Sequence, residues 1–454
     1  MKLLTRGLSL DRDDMRRILV IMLPAMVELL MSQLFTMVDT MMLGHSSVST
    51  VAIAAVGLTN TPFNLFNGMM NALNVGTTAA VAWAIGAKNQ DAARSIARTA
   101  MTMNLIVGAA VTCILYFGAP TIIKFMKAEA DAYPYAVDYL RVIALGMTPL
   151  MLTYGITGAL RGAGKTKLPM LYNLFANMLN VIGNYALIYG KLGCPELGVT
   201  GAAISTTASR VVAFLLACGV LYFGRHPVRL SVWGDYRLHR QWLGRITRVG
   251  STAAMEQLIM QIGFMMFALT VSGLGTQVFA AHQIALNVNG LTWMPAQAFG
   301  VAATAIVGQC LGAGDKIRAR DFVRVIHRMS LGVAALIAVV FLLASQHIAA
   351  LYTTEVETAR MAAVALKWIA VGLPGICTQI PVAAALRGAG DARFPLIASA
   401  TGIWVFRVLV APLFVHTFGW GLTGAWVSIA LDQTTRATVV YGRFLTGKWM
   451  EKKV

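Results

Sequence analysis

The chain has 454 residues, of which 57% are hydrophobic and only 12% are charged. A soluble domain carries about 25% charged residues, so this composition excludes an ordinary soluble protein and indicates a polytopic membrane protein. The net charge is +18, but the basic residues concentrate in short segments between apolar stretches. Such residues orient a chain in the bilayer and contact anionic headgroups, so no nucleic-acid partner is expected.

Hydropathy predicts twelve membrane-spanning helices, because each apolar stretch exceeds the roughly 20 residues that cross a bilayer. Lysine and arginine concentrate near both ends of the chain and in the segments after even-numbered spans. The positive-inside rule then predicts a multi-pass protein of the plasma membrane (the bacterial inner membrane) with both termini in the cytoplasm. The predicted spans are 18–43, 52–84, 92–117, 136–160, 167–190, 198–223, 246–272, 278–310, 320–344, 360–385, 394–416 and 421–444.

The two halves of the chain repeat each other. The sequence LRGAGKTKLP at positions 160–169 corresponds to LRGAGDARFP at positions 386–395, in the second half of the chain. Each half holds six predicted spans, so both halves enter the membrane in the same direction. We therefore predict an all-α fold with twelve transmembrane helices in two six-helix lobes, related by a pseudo-two-fold axis along the membrane normal. The expected lobes are residues 1–223 and 246–454, joined by a basic cytoplasmic linker loop at 224–245.

The first predicted span carries two acidic residues, Glu28 and Asp39, on one helix face, because they lie eleven residues or about three turns apart. An ionisable side chain facing lipid costs several kcal/mol, so this face contacts other helices or a hydrated cavity. The repeat places Phe267 at the position of Asp39. An acid without a counterpart in the repeat is better explained by a function than by a need of the fold. We therefore predict that Asp39 binds a coupling ion. The alternative is a structural acid held by hydrogen bonds. Glu256 repeats Glu28, so a structural and a transport role both remain open for this pair.

Asparagines recur at helical spacing along the second and fifth spans. Such amides either hold helices together, for about 1 kcal/mol each, or line a hydrated pocket beside Asp39, and we predict the pocket. The eighth span contributes Gln283 as a further polar candidate. The two asparagine series are Asn60, Asn64, Asn67, Asn71 and Asn74, and then Asn173, Asn177, Asn180 and Asn184.

Basic residues also enter the later spans. Asp432 and Arg436 are four residues apart on one helix face, so they are predicted to neutralise each other. Arg407, deep in the eleventh span, has no evident partner in the sequence. It either pairs with an acid or contacts an anionic substrate, and the sequence leaves both interpretations open.

These features resemble the multidrug and toxic compound extrusion (MATE) family. The resemblance rests on Pro24, Asp39 and Gly44 in the first span, the paired LRGAG sequences, the stretch VGQCLGAGD at 307–315 and the two-lobe layout of twelve spans. It implies a V-shaped pair of six-helix bundles that exports organic compounds in exchange for H⁺ or Na⁺. It also implies that the protein acts as a monomer.

On this resemblance, the family's first-span aspartate falls on Asp39 and its fifth-span Asn-x-x-x-Asp falls on Asn180 and Asn184. These three residues form the expected coupling-ion site. An amide replaces the second acid, which favours H⁺ over Na⁺, although Na⁺ at Asp39 stays an alternative. The family's seventh-span glutamate falls on Glu256. The candidates for the substrate cavity are Glu28, Glu256, Asn60, Asn64, Asn67, Asn71, Asn173, Asn177, Gln283 and Arg407.

The expected function is a secondary active antiporter that exports drug-like, often cationic, organic compounds by alternating access. A lipid-linked precursor flippase of the same superfamily is the alternative, and its cleft would be lined by cations that hold a pyrophosphate. The sequence holds no recognisable nucleophile–base pair and no metal-ligand spacing. We therefore expect no enzyme activity, no catalytic residue, no structural metal and no cofactor beyond the coupling cation.

Overall fold

The computed structural model describes residues 10–44, 50–126, 128, 130–231 and 233–452. Within these ranges, twelve helices follow one another in chain order and no strand occurs, which confirms the predicted all-α polytopic fold. The helices are α1 (Arg12–Gly44), α2 (Thr50–Gly86), α3 (Gln90–Phe125), α4 (Tyr133–Gly162), α5 (Lys167–Ile188), α6 (Gly198–Phe223), α7 (Arg240–Ser272), α8 (Thr276–Gly312), α9 (Lys316–Ala350), α10 (Val356–Gly388), α11 (Arg393–Thr417) and α12 (Gly421–Leu445).

Two of these helices are locally irregular. Gly146 interrupts α4, which consists of Tyr133–Leu145 and Met147–Gly162. In α11 the α-helical turns change to π-helical turns at Ile403–Val410 and again at Leu413–Thr417. A π-helical turn accommodates extra residues in a helix and occurs frequently at functional sites.

Nine of the described helices are long and apolar enough to cross a membrane by length and composition alone. The other three are α2, α5 and α12. Their lower hydropathy has a local cause, because α2 and α5 carry the two asparagine series and α12 carries Asp432 and Arg436.

The described residues divide into two compact units. We call residues 27–250 the N-unit, and residues 10–26 together with 251–452 the C-unit. The division falls inside α1 and inside α7, so each unit includes the first part of a helix that continues in the other unit.

The lobe boundaries expected from the sequence do not coincide with this division and stay a prediction. The first expected lobe, 1–223, includes the start of α1, which groups with the C-unit. The terminal residues 1–9 and 453–454 lie outside the described ranges. The cytoplasmic location of both termini therefore also stays a prediction.

Each unit has its own apolar core. In the N-unit, α3 and α4 supply fully buried side chains such as Leu115, Leu140 and Met147. In the C-unit, the core includes Phe267 of α7 and Trp426 of α12. Lipid tails are as apolar as leucine, so close packing rather than a hydrophobic force holds helices together in a bilayer.

Glycines permit the close approach of paired helices in both units. A Cβ atom at Gly162 of α4 would lie 2.6 Å from the carbonyl oxygen of Thr78 in α2. A Cβ atom at Gly388 of α10 would lie 2.6 Å from the carbonyl oxygen of Thr304 in α8. The alignment of the two LRGAG sequences places Gly388 at the position of Gly162 and Thr304 at the position of Thr78, so both halves make the same contact.

Gly162→Ala and Gly388→Ala should each destabilise the protein, because the added methyl group meets backbone that cannot rotate away. We expect a loss of about 1–3 kcal/mol for each, as for other overpacked sites, measured by thermal unfolding in detergent. Gly442→Ala in α12 is the matched control, since its Cβ would meet no described atom within 4 Å. Wild-type stability of the Gly162 variant would contradict the close contact.

Candidate ion and substrate site

Asp39 of α1 is half-buried in the N-unit and is contacted by two amides of α5. The Asn184 Nδ2 donates a hydrogen bond to the Asp39 Oδ1 at 2.8 Å. With its amide nitrogen turned to the carboxylate, Asn180 donates to both Asp39 oxygens, at 2.9 and 3.2 Å. Its amide oxygen then accepts from the backbone nitrogen and hydroxyl of Thr206 in α6, at 3.2 and 3.3 Å. The structure thus brings together all three residues of the predicted coupling-ion site.

One polar atom of Asn184 lacks a partner within the part of the chain that the structure describes. The residue is 2% exposed, and its Oδ1 has no hydrogen-bond partner among the described residues. A buried acceptor in this state costs about 1–3 kcal/mol. Amide and carboxylate oxygens are suitable ligands for hard cations, and an amide oxygen also accepts a hydrogen bond from a protonated carboxyl group. The cluster of Asp39, Asn180 and Asn184 is therefore chemically able to hold a proton or a cation.

Glu28, earlier on α1, forms a buried ion pair. Its Oε1 lies 3.0 Å from the Arg161 Nη2 of α4 and accepts a hydrogen bond from the Asn173 Nδ2 of α5 at 2.7 Å. Glu28 is 8% exposed, so these two partners, rather than water, stabilise its carboxylate. Asparagines of α5 therefore contact both acidic residues of the α1 face.

Glu256 has the equivalent contacts in the C-unit. Its Oε1 accepts a hydrogen bond from the Ser399 hydroxyl of α11 at 2.7 Å and lies 3.6 Å from the Arg387 Nη2 of α10. The alignment of the LRGAG sequences places Arg387 and Ser399 at the positions of Arg161 and Asn173. In both units, a glutamate thus pairs with the arginine of the LRGAG sequence. This repetition favours a structural role for Glu28 and Glu256; a transport role for either stays a prediction.

The asparagines of α2 fall into two environments. Asn74 is buried and exchanges hydrogen bonds with Asn104 of α3, at 3.0 and 2.8 Å. Asn67 accepts a hydrogen bond from the Tyr154 hydroxyl of α4 at 2.7 Å. These two amides hold helices together. The other three asparagines of α2, which are Asn60, Asn64 and Asn71, are exposed. Asn177 of α5 is half-buried.

The two candidates from the later spans differ in burial. Gln283 of α8 is exposed, and its backbone carbonyl oxygen accepts a hydrogen bond from the Asn287 side chain at 3.0 Å. Arg407 of α11 is 4% exposed, and its Nε donates to the Asp432 Oδ2 of α12 at 2.6 Å. Asp432 also binds Arg436, as predicted from their spacing. The sequence had assigned this acid to Arg436 alone, whereas the structure shows that it binds both arginines.

The sequence missed several partners of the site residues. Arg161 could have been found from the internal repeat. The separation of the two LRGAG sequences is nearly the same as that of Glu28 and Glu256, which indicates that the arginine and the glutamate repeat together. Ser205 and Thr206 of α6 carried no such signal, since hydroxyl residues are common in helices of every kind. Ser205 nevertheless donates a hydrogen bond to the Asn180 carbonyl oxygen at 2.8 Å and joins α6 to α5.

A polytopic helical fold with a half-buried carboxylate inside a spanning helix is typical of a membrane transporter. The chain belongs to the MatE family, since the model of that family matches residues 24–186 and 253–413. It is thus a transporter of the multidrug and toxic compound extrusion family, and not an enzyme.

Individual relatives agree with this assignment. The chain is 32% identical over 441 residues to the probable multidrug resistance protein NorM of Thermotoga maritima, a match that covers 97% of this chain and 94% of the relative. It is 29% identical to the multidrug resistance protein PmpM of Pseudomonas aeruginosa, over 88% of this chain and 84% of the relative. A solved structure described as an outward-facing multidrug resistance MATE family transporter has the same fold, with a TM-score of 0.89, 24% identity and 98% of both chains covered.

The Glu28–Arg161 pair should behave as a buried ion pair in a double-mutant cycle. Arg161→Met leaves the Glu28 carboxylate without its cation, and we expect a loss of about 3–5 kcal/mol in the free energy of unfolding. Glu28→Gln combined with Arg161→Met removes both charges and should recover most of that loss. Thermal unfolding of the single and double variants measures the difference. A double variant less stable than Arg161→Met alone would contradict the pairing.

Proposed function

We propose that the protein is a secondary active antiporter that exports drug-like, often cationic, organic compounds in exchange for H⁺, with Na⁺ as the alternative coupling ion. The observation that carries this proposal is the half-buried Asp39 carboxylate with its two amide donors, Asn180 and Asn184. The names of the relatives, which include multidrug resistance proteins, support the substrate class.

Ion binding at Asp39 changes the charge of the cluster by one. The free Asp39 carboxylate accepts hydrogen bonds from both amides. A bound proton or cation occupies one carboxylate oxygen and displaces the hydrogen bond that this oxygen accepted. The Asn184 Oδ1, which has no partner among the described residues, then becomes available to the incoming ion. The resulting rearrangement of α1 and α5 lowers the affinity for a cationic substrate. Because coupling free energy is reciprocal, substrate binding favours release of the ion in return.

Alternating access carries the substrate across the membrane, and the gradient of the coupling ion sets the direction of transport. Substrate enters from the cytosol or the inner leaflet, and it leaves on the outer side, where the coupling ion binds. The exposed asparagines of α2 and the half-buried Asn177 of α5 are the proposed polar contacts of the substrate in the N-unit. The protein acts as a monomer in the bacterial inner membrane, with both termini in the cytoplasm.

A lipid-linked precursor flippase is the second candidate function. Such a protein would present exposed cations to a pyrophosphate group. Among the described residues of α2 and α5, the repeated polar positions are amides. Arg407 and Arg436 are cationic but buried around Asp432. These observations favour the exporter over the flippase.

Asp39→Asn keeps the size of the side chain and removes its charge, so it should uncouple transport. In proteoliposomes loaded with a fluorescent cation, we expect proton-driven efflux to fall more than about tenfold, which lies within typical coupling free energies of about 1–3 kcal/mol. The same measurement under a sodium gradient identifies the ion. Asp91→Asn is the matched control, because the Asp91 side chain of α3 is 94% exposed. Full proton-driven activity of Asp39→Asn would contradict the assignment of Asp39.

Asn184→Asp should strengthen Na⁺ binding, because a second carboxylate beside Asp39 adds anionic oxygen ligands of the kind that hard cations prefer. We expect the Na⁺ concentration for half-maximal efflux to fall roughly tenfold, the effect of about 1.4 kcal/mol, in liposomes without a pH gradient. Asn287→Asp, at an exposed position of α8, serves as the control for added negative charge. An unchanged Na⁺ dependence of efflux in Asn184→Asp would contradict the assignment of Asn184 to the ion site.

A further inference from the structure

The C-unit buries two arginines against one acid. The Arg407 Nε donates to the Asp432 Oδ2 at 2.6 Å, and the Arg436 Nε donates to the Asp432 Oδ1 at 2.6 Å. The Arg436 Nη2 also contacts Oδ2. Arg407 is 4% exposed, and Asp432 and Arg436 are fully buried. Because a guanidinium group stays protonated in proteins, this cluster carries one net positive charge.

The described surroundings of the cluster do not balance this charge. Among the described residues, Asp432 is the one acid that forms an ion pair with Arg407 or with Arg436. The Arg407 Cζ lies instead over the rings of Phe264 and Phe267 in α7, at 5.0 and 5.8 Å from their centroids. The Arg436 Nη1 is buried and has no hydrogen-bond partner among the described residues. An unbalanced buried charge is strongly unfavourable.

Other buried ion pairs of the described chain are balanced one to one. They join α1 to α4, α7 to α10, and the segment before α11 to the end of α12. Each consists of one carboxylate and one arginine, and each side chain is less than one-fifth exposed. These pairs are Glu28–Arg161, Glu256–Arg387 and Asp391–Arg443.

The internal repeat relates the Arg407 cluster to the Asp39 site. Gly201 of α6 packs against the backbone of Leu187 in α5, and Gly424 of α12 packs against the backbone of Phe414 in α11. Leu187 and Phe414 are therefore equivalent positions of the repeat. Counted back from these positions, Arg407 corresponds to Asn180, whereas the count forward from Asn173 and Ser399 reaches Phe406. The one extra residue of α11 lies where its turns are π-helical, and Arg407 is within those turns.

The equivalent positions have opposite polarity in the two units. In the N-unit, Asn180 contacts Asp39. In the C-unit, Arg407 contacts Phe267, which the repeat places at the position of Asp39. An anionic group with amide donors is thus replaced by a cationic group beside aromatic rings.

We infer that Arg407 and Arg436 form an anion-binding site in the C-unit, which takes one monovalent anionic group. Its chemistry is defined by the Arg436 Nη1, for which the described residues offer no hydrogen-bond partner, and by the one positive charge that Asp432 does not neutralise. The anion reaches the cluster along Arg407, whose ring neighbour Phe264 is half-buried. Its source is either a dissolved halide or the carboxylate of a zwitterionic substrate, which present the same negative charge. The site does not depend on the role proposed for Asp39.

The first test addresses the halide source by thermal unfolding in detergent, in sodium chloride and in sodium gluconate at equal ionic strength, because gluconate is larger than a halide and lacks the cationic ring system that brings a substrate carboxylate to the protein. Chloride should raise the melting temperature of the wild type by roughly 2–4 °C, through binding to the folded state. Arg407→Met leaves a neutral Asp432–Arg436 pair and should show no such rise. Arg407→Lys keeps the charge and should retain a weaker response. Arg360→Met, at a surface position with a 76% exposed side chain, should respond as the wild type does.

The second test separates the two sources of the anion. Proteoliposomes are loaded with rhodamine 123, a cationic ester, or with rhodamine 110, the free acid with the same ring system. A roughly tenfold fall in the ratio of free-acid to ester efflux in Arg407→Met would assign the site to a substrate carboxylate. An unchanged ratio together with a lost chloride response would assign it to a halide. Equal wild-type stability in both salts, with an unchanged efflux ratio, would overturn the proposal and leave the cluster as a structural ion triad.

Discussion

A buried glutamate held by the LRGAG arginine is the constraint on which both units depend. In the N-unit, one carboxylate joins α1, α4 and α5 through Arg161 and Asn173. In the C-unit, Glu256 joins α7, α10 and α11. Apolar packing alone does not specify how one spanning helix is placed along another, since every apolar face is compatible with lipid. A charged contact with definite partners does specify it, because the carboxylate is unstable anywhere else along the helix.

This constraint also positions the ion site. Glu28 and Asp39 lie eleven residues apart on α1, and Asn173 and Asn184 lie eleven residues apart on α5. Once Asn173 binds Glu28, the equal spacing brings Asn184 to Asp39, as observed at 2.8 Å. The site that binds the ion in our proposal therefore depends on a contact three helical turns away. A change at that distant contact alters the geometry at Asp39 without touching it.

Local patterns predicted the spans and the polar faces of α1, α2 and α5, whereas the resemblance to the MATE family assigned Asn180 and Asn184 to the site of Asp39. Hydropathy marks each span independently of the others, and helical spacing places acids and amides on one face of their own helix. Contacts between helices were harder to predict. The spacing rule assigned Asp432 to Arg436 on the same helix, and no local pattern indicated that Arg407 approaches the same acid from α11. The π-helical turns that carry Arg407 also change its direction relative to a regular helix. The partners Ser205 and Thr206 were missed for the same reason. The role of a hydroxyl side chain depends on the residue that it contacts on a neighbouring helix, and a local pattern does not identify that residue.

The presence of an amide at position 184 has an energetic consequence for the exchange we propose. Among the described residues, Asp39 contributes the single carboxylate of its cluster, and its amide and hydroxyl neighbours are neutral. One monovalent ion neutralises this cluster completely. Exchange of that ion for one singly charged organic cation moves no net charge, so the membrane voltage does no work on the cycle. The driving force is then the ion's concentration ratio alone, and a difference of one pH unit, about 1.4 kcal/mol, sustains at most about a tenfold substrate gradient.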